Sequence, residues 1–215
     1  MKIVADENLA FTEYFFSEFG EIQQVAGRTL THSDVQDATA LLVRSVTQVN
    51  EPLIQNTALK FVGSATIGTD HLDMTALDKH HIAWSNAPGC NAQAVSEYVI
   101  TALLHLKPAL FDPNQTITLG IIGLGNVGSR LATMAQLLGW RVIAYDPLVK
   151  QHRVEQVTLE TLLQTADAIS IHVPLTKTGS HATFHLINAQ TLAMMKPDAI
   201  LINSARGAVV AEAAL

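Results

Sequence analysis

Six residues near the middle of the chain, Gly123-Leu124-Gly125-Asn126-Val127-Gly128, constrain its fold more than any other stretch. They lie between an apolar run at 117–122 and a helix-like run in which Val127, Leu131, Met134 and Leu138 recur at helical spacing. Glycines so spaced also occur in ordinary apolar turns. A strand before them and a helix after them make the pattern that of a dinucleotide cradle. In that setting Gly123 permits the tight turn, Gly125 lets the backbone approach a pyrophosphate, and Gly128 lets the helix pack close to the strand. The N-terminus of the helix, at Asn126 and Val127, adds free N–H groups and the positive end of the helix dipole. Asp146 closes the next apolar run eighteen residues after Gly128, where a carboxylate meets a ribose 2′-hydroxyl. Its charge repels a 2′-phosphate and so favours NAD over NADP. A strand-end aspartate before a proline, here Pro147, otherwise serves as a turn former.

Around this turn, short β-rich runs alternate with helical ones, which predicts parallel α/β layers. Strands are expected at 2–6, 40–44, 61–65 and 82–84. Helices are expected at 8–19, stopped by Gly20, after Asn50 with Pro52 in the first turn, and from Asp73 to about 79. A long helix over 91–106, with Asn91 as its cap and Val95, Val99, Leu103 and Leu106 on one face, ends before Pro108 and bridges the two halves. A loop at 110–115 leads to strands at 117–122, 141–146, 168–172 and 199–203, with helices at 126–138, 158–166 and 188–195. Two domains are expected, 1–92 and 93–215. Four strands in the second, against about six in a complete dinucleotide domain, and a terminal AEAAL without a C-cap predict a chain cut inside that domain.

Thirteen basic against nineteen acidic residues leave a net charge of −6, which argues against nucleic acid or an anionic membrane as partner. A hydrophobic content of 48% excludes disorder, and only 15% charged residues predict extensive burial against something else. The single cysteine, Cys90, cannot form an internal disulfide and reads as a small, inert, buried residue. Asp6 and Glu7 interrupt any leader-like apolar stretch, and no run approaches the ~18 residues of a membrane span. A cytoplasmic protein is expected. Nine histidines lack clustered partners and no HExxH occurs, so no metal is expected. His172, at a strand end before Val173, is expected to be structural rather than catalytic.

Other strand ends carry polar groups suited to an anion. Arg206 follows the apolar strand at 199–203 through the small residues Ser204 and Ala205. It suits either a bidentate grip on a carboxylate or a surface salt bridge. Arg44 and Ser45 follow one strand of the first half, and Ser64 and Thr66 another. Anion binding and simple turn capping are both open to them.

Taken together, GLGNVG, AYDP, HVPLT and MKPDAILINSARGAVV resemble the D-isomer-specific 2-hydroxyacid dehydrogenase family over essentially the whole chain. The resemblance implies a flavodoxin-like substrate-side domain and an incomplete Rossmann-type, parallel-sheet NAD-binding domain. MKIVADEN, LLVRSVTQVN, FVGSATIGTDHLD and APGCNAQAVSEYV resemble members that oxidise a phosphorylated hydroxy acid with NAD on the way to pyridoxal 5′-phosphate. Carried over by position, Ser45 and Thr66, with Arg44 beside them, fall on substrate-binding sites, and Arg206 on the catalytic arginine. Gly123, Gly125, Asn126, Val127, Gly128, Asp146, Val173, Ser204, Ala205 and Arg206 fall on the cofactor side. Val173 stands where relatives read threonine, so a backbone contact is implied there rather than a side-chain one. The family's glutamate–histidine pair is expected downstream of Leu215, and the full-length form is expected to be a homodimer. Alternative readings are a dehydrogenase of another hydroxy acid, such as 3-phosphoglycerate, and a non-catalytic NAD-sensing binding protein of the same fold.

Overall fold

The computed structural model describes residues 1–108, 112, 115–150 and 153–215; the loop expected at 110–115 lies mostly outside the described residues. The chain divides into two compact units, Met1–Cys90 and Asn91–Leu215.

In the first unit, apolar runs too short for stable helices pair into one parallel sheet. Its strands are β1 (Lys2–Asp6), β2 (Glu21–Val25), β3 (Ala40–Val43), β4 (Phe61–Ser64) and β5 (Ala83–Ser85). Their order, β2-β1-β3-β4-β5, is flavodoxin-like, with its switch point between β1 and β3. Both faces are covered, so the inner strands are apolar throughout rather than alternating. Val4, Leu41, Val43 and Val62 meet Val35, Leu53, Ile54 and Leu77 on one face. Ile3, Ala5 and Leu42 meet Leu9, Phe16 and Ile22 on the other. The covering helices are α1 (Thr12–Phe16), α2 (His32–Val35), α3 (Glu51–Ile54) and α4 (Met74–Lys79). Asn50 and Asp73 cap α3 and α4 by accepting from the Leu53 and Ala76 N–H groups.

Three expectations for this unit need correction. The helix expected at 8–19 is only α1 plus a 3₁₀ turn at Ser17–Phe19, because Phe11 enters it in the left-handed region at φ 60°. Strand β2 gives no strand signal in the sequence: its two apolar residues, Ile22 and Val25, are three apart rather than alternating, with Glu21, Gln23 and Gln24 around them, and as an edge strand it buries them only in part. Cys90 is exposed, not buried.

The second unit begins with α5 (Ala92–Leu106) and holds β6 (Thr118–Ile122), β7 (Arg141–Tyr145), β8 (Glu155–Gln156), β9 (Ala168–Ile171) and β10 (Ile200–Asn203). Strand order is β10-β9-β6-β7-β8, all parallel, the dinucleotide-binding order through its fifth strand. Five strands replace the expected four because β8, only Glu155 and Gln156, has no apolar residue to reveal it. Helices α6 (Asn126–Leu137), α7 (Leu159–Thr165) and α8 (Ala189–Leu192) complete the layers. Leu119, Ile121 and Val142 bury one sheet face against Val99, Leu103 and Leu131; Ile122, Ile143 and Ile169 bury the other against Leu162 and Leu163.

The helix faces differ in detail from those expected. Ser96, Val99, Ile100 and Leu103 are buried on α5 while Leu106 is exposed, and on α6 Leu131, Ala132 and Ala135 are buried while Leu138 is not. Asn91 sits at the start of α5 without a side-chain capping bond. Among the described residues no helix is long and apolar enough to cross a membrane, and no three His, Cys, Asp or Glu side chains cluster as a metal site.

Candidate active site

Strand register, rather than sequence proximity, assembles the second unit's site. Ile122 pairs with Tyr145 and with Ile171, and Ile171 pairs with Asn203. Gly123, Asp146, His172 and Ser204 therefore each stand one residue beyond the sheet, in a single row at its carboxyl edge. Open α/β sheets bind ligands at that edge.

Gly123 turns the chain at φ +97°, and a Cβ there would lie 2.6 Å from the His172 carbonyl oxygen. Gly128 lets α6 start against the turn: a Cβ would stand 1.9 Å from the Gly123 oxygen. A Cβ on Gly125, by contrast, would meet nothing within 4 Å. The turn is thus crowded inward and open outward, and the first N–H groups of α6 have no intrahelical acceptors. Asp146 braces it. Its Oδ2 accepts from the Leu124 N–H at 2.7 Å and its Oδ1 from the Leu148 N–H at 3.0 Å.

After β10 the chain makes a tight turn. Asn203 Oδ1 accepts from the Ala205 N–H at 3.1 Å, and its Nδ2 donates to the Arg206 oxygen at 2.8 Å. Arg206 Nη1 donates to the Ala205 oxygen at 3.0 Å. Ser204 Oγ lies 3.2 Å from His172 Nδ1, while His172 Nε2 lies 2.8 Å from Ser170 Oγ. Burial lowers the His172 pKa to about 4, so the ring is neutral. Val173, next in line, packs its side chain beside Gly123.

The first unit has its own carboxyl-edge cluster, at the switch point. Arg44 follows β3 and reaches Asp6 at the end of β1: Nη2 donates to Oδ1 at 3.2 Å, and Nε lies 3.1 Å from Oδ2. Asp6 is fully buried. Burial pushes its pKa up, but the Asn8 N–H and the Arg44 guanidinium outweigh that and hold it below the ordinary value. On the neighbouring strand Ser64 Oγ lies 2.9 Å from both Thr66 Oγ1 and His71 Nε2, and Thr66 donates to the Gly68 oxygen at 3.2 Å. Ser45 is exposed directly after Arg44. A cavity of about 350 Å³ opens beside Gly27 and Thr47; Arg28, His32, Gln48 and Asn50 line it, and Arg44, Ser45 and Thr66 do not.

Asp6, Gly27, Asn203 and the Ser170–His172–Ser204 chain escaped sequence reasoning. Asp6 offered a signal, since it is a strand-ending acid like Asp146. The partners of His172 and Asp6 offered none, being brought together only by strand pairing.

The D-isomer specific 2-hydroxyacid dehydrogenase NAD binding domain model matches residues 107–215. The chain is 71% identical over 215 residues to erythronate-4-phosphate dehydrogenase of Acinetobacter baumannii, covering all of this chain and 61% of that protein. It is 49% identical over 218 residues to the enzyme of the same name from Shewanella oneidensis, covering 58% of it. The chain thus spans about three-fifths of the length of these relatives. NAD⁺-bound 3-phosphoglycerate dehydrogenase of Entamoeba histolytica has a similar structure, with a TM-score of 0.84, 25% identity, and coverage of all of this chain and 74% of that one.

Proposed function

The chain belongs to the D-isomer-specific 2-hydroxyacid dehydrogenase family, and on that premise we propose that it carries the substrate-side and NAD-binding parts of an erythronate-4-phosphate dehydrogenase. The reaction is oxidation of 4-phospho-D-erythronate to (R)-3-hydroxy-2-oxo-4-phosphobutanoate, in pyridoxal 5′-phosphate formation. The observation that carries this reading is the 123–128 turn braced by Asp146. It is closed inward, open at Gly125, and led by the unshared N–H groups of α6. That shape and donor set fit a dinucleotide pyrophosphate, with Asp146 beside the adenosine ribose.

Bound NAD supplies the hydride acceptor. The residues of this chain bind and orient. Gly123, Gly125, Asn126, Val127 and Gly128 take the pyrophosphate, and Val173, Ser204 and Ala205 take the nicotinamide side. Arg206 grips the C1 carboxylate with its fork of N–H donors and polarises the C2 oxygen. Arg44, Ser45 and Thr66 take the rest of the substrate; the Asp6 pairing fixes the Arg44 side chain in advance of binding. The general base for the C2 hydroxyl proton is not assigned to any of these 215 residues.

A reducing, cytoplasmic setting suits the exposed thiol of Cys90. A homodimer in the full-length enzyme would cover apolar side chains such as Tyr98, 67% exposed, and Leu137, 84% exposed. The deciding experiment assays the complete enzyme with NAD and either 4-phosphoerythronate or 3-phosphoglycerate, following NADH absorbance. Preferential turnover of 4-phosphoerythronate is expected. Preference for 3-phosphoglycerate would move the chain to another member of its family, and NAD-dependent partner binding without turnover would make it a sensor.

A further inference from the structure

We propose that His172, carrying its proton on Nδ1, is a positioning residue that pins the 204–206 turn to the end of β9. Its consequence for turnover rests on the role proposed for Arg206; its geometry does not.

His172 is itself anchored. Its backbone N–H donates to the Ile122 oxygen at 2.7 Å, which ties the root of the ring to the strand that enters the glycine turn. The ring bridges two hydroxyls, with Nε2 2.8 Å from Ser170 Oγ and Nδ1 3.2 Å from Ser204 Oγ. Ser170 is fully buried, and among the described residues the ring is its side chain's hydrogen-bond partner. Counting hydrogens then selects the tautomer. If the Ser170 O–H donates to Nε2, Nδ1–H donates to Ser204 Oγ, and the Ser204 O–H turns to the Ile171 oxygen 3.5 Å away. Every hydrogen has an acceptor. In the other tautomer Nε2–H donates to Ser170, and the buried Ser170 hydrogen is left without one, which proteins avoid. Burial keeps the ring from taking a second proton near neutral pH.

The 204–206 turn is therefore held from two sides. Asn203 clamps it from within through Ala205 and Arg206, and His172 holds Ser204 from β9. Small drifts of an orienting group cost rate steeply, about 10²-fold for a shift near 1 Å. A neutral imidazole suits this work, because it offers one donor and one acceptor in a fixed plane.

Two substitutions separate the two ends of the ring. The amide of His172→Asn reaches about as far as Nδ1 and retains a donor for Ser204. That of His172→Gln reaches about as far as Nε2, retaining the Ser170 link and losing the Ser204 one. In the complete enzyme, His172→Gln is expected to raise KM for the hydroxy acid about three- to tenfold, the worth of one hydrogen bond, and His172→Asn to recover most of that loss. Both lower thermal stability, so instability alone does not generate that ordering. Equal losses, or the reverse order, would overturn the proposal. A second readout needs no turnover: ¹⁵N NMR of the histidine rings in this chain should show His172 protonated at Nδ1 and unprotonated at Nε2. The opposite tautomer would overturn the positioning role while leaving the dehydrogenase reading intact. A wild-type enzyme without turnover would do the converse.

Discussion

Asp146 already has work inside the protein, and this shapes how its role toward a cofactor must be tested. Each of its oxygens accepts one backbone N–H, from Leu124 and from Leu148, and each keeps a further lone pair for a ligand. Asp146→Ala therefore does two things: it loosens the glycine turn and it removes a charge. The first weakens NAD and NADP alike, and only the second discriminates between them. The ratio of the two dissociation constants, from calorimetric titration, is thus the diagnostic quantity. It is expected to move toward NADP by about tenfold or more, the scale of one charge-assisted hydrogen bond; an unchanged ratio would remove Asp146 from the ribose. Arg206 poses the opposite problem, because its value lies in shape rather than charge. Lysine keeps the positive charge but replaces a planar fork by a point. In the complete enzyme, Arg206→Lys is expected to lower kcat/KM for 4-phosphoerythronate by about 10²-fold while the NAD dissociation constant changes little. Near-normal steady-state kinetics would exclude a bidentate role.

At the scale of elements, what could be read from the sequence followed local periodicity. The β6–α6 junction was legible because an apolar strand switches to helical spacing across three glycines within six residues. Strands β2 and β8 were not, because edge strands bury little and can be as polar as Glu21, Gln23 and Gln24 or Glu155 and Gln156. The site followed the same rule. Gly123, Gly128 and Asp146 announce themselves by spacing, whereas Asp6 and Arg44 are 38 positions apart and meet only because β1 pairs with β3. That long-range pair has a consequence of its own. A Cβ on Gly27 would lie 2.2 Å from Asp6 Oδ2 and 2.9 Å from Thr47 Oγ1, so Gly27→Ala is expected to destabilise the first unit by about 1–3 kcal/mol. The pair also sets an acid limit. The Asp6 pKa is lowered from 3.8 in the folded state, so its contribution is complete above 3.8 and is lost as pH falls through the folded value. Urea midpoints followed by Trp84 fluorescence should drop over that acid window, and less steeply in an Asp6→Asn variant. Equal slopes would mean that other carboxylates carry the effect.

At the scale of the whole molecule, each unit has its own sheet, its own covering helices and its own apolar clusters. Each also has one of the two tryptophans: Trp84 in β5, 38% exposed, and Trp140 in the core of the second unit, 7% exposed. Trp84→Phe and Trp140→Phe variants therefore report on one unit at a time. Separate cores predict separate unfolding steps, and a ligand bound to folded chain raises only the step that destroys its site. NAD at about a hundred times its dissociation constant adds about 2.7 kcal/mol, which in a domain of this size is a rise in Tm on the order of 10 °C. The Trp140 transition is expected to take that rise and the Trp84 transition to stay nearly where it was. NADP at the same concentration should move Trp140 less if Asp146 takes the ribose position proposed for it, because its charge would repel the extra phosphate. If both tryptophans report one transition with one shift, the units unfold together and their cores are not independent. If NAD moves neither, the 123–128 turn does not bind it, and the cofactor assignment fails with its most legible motif.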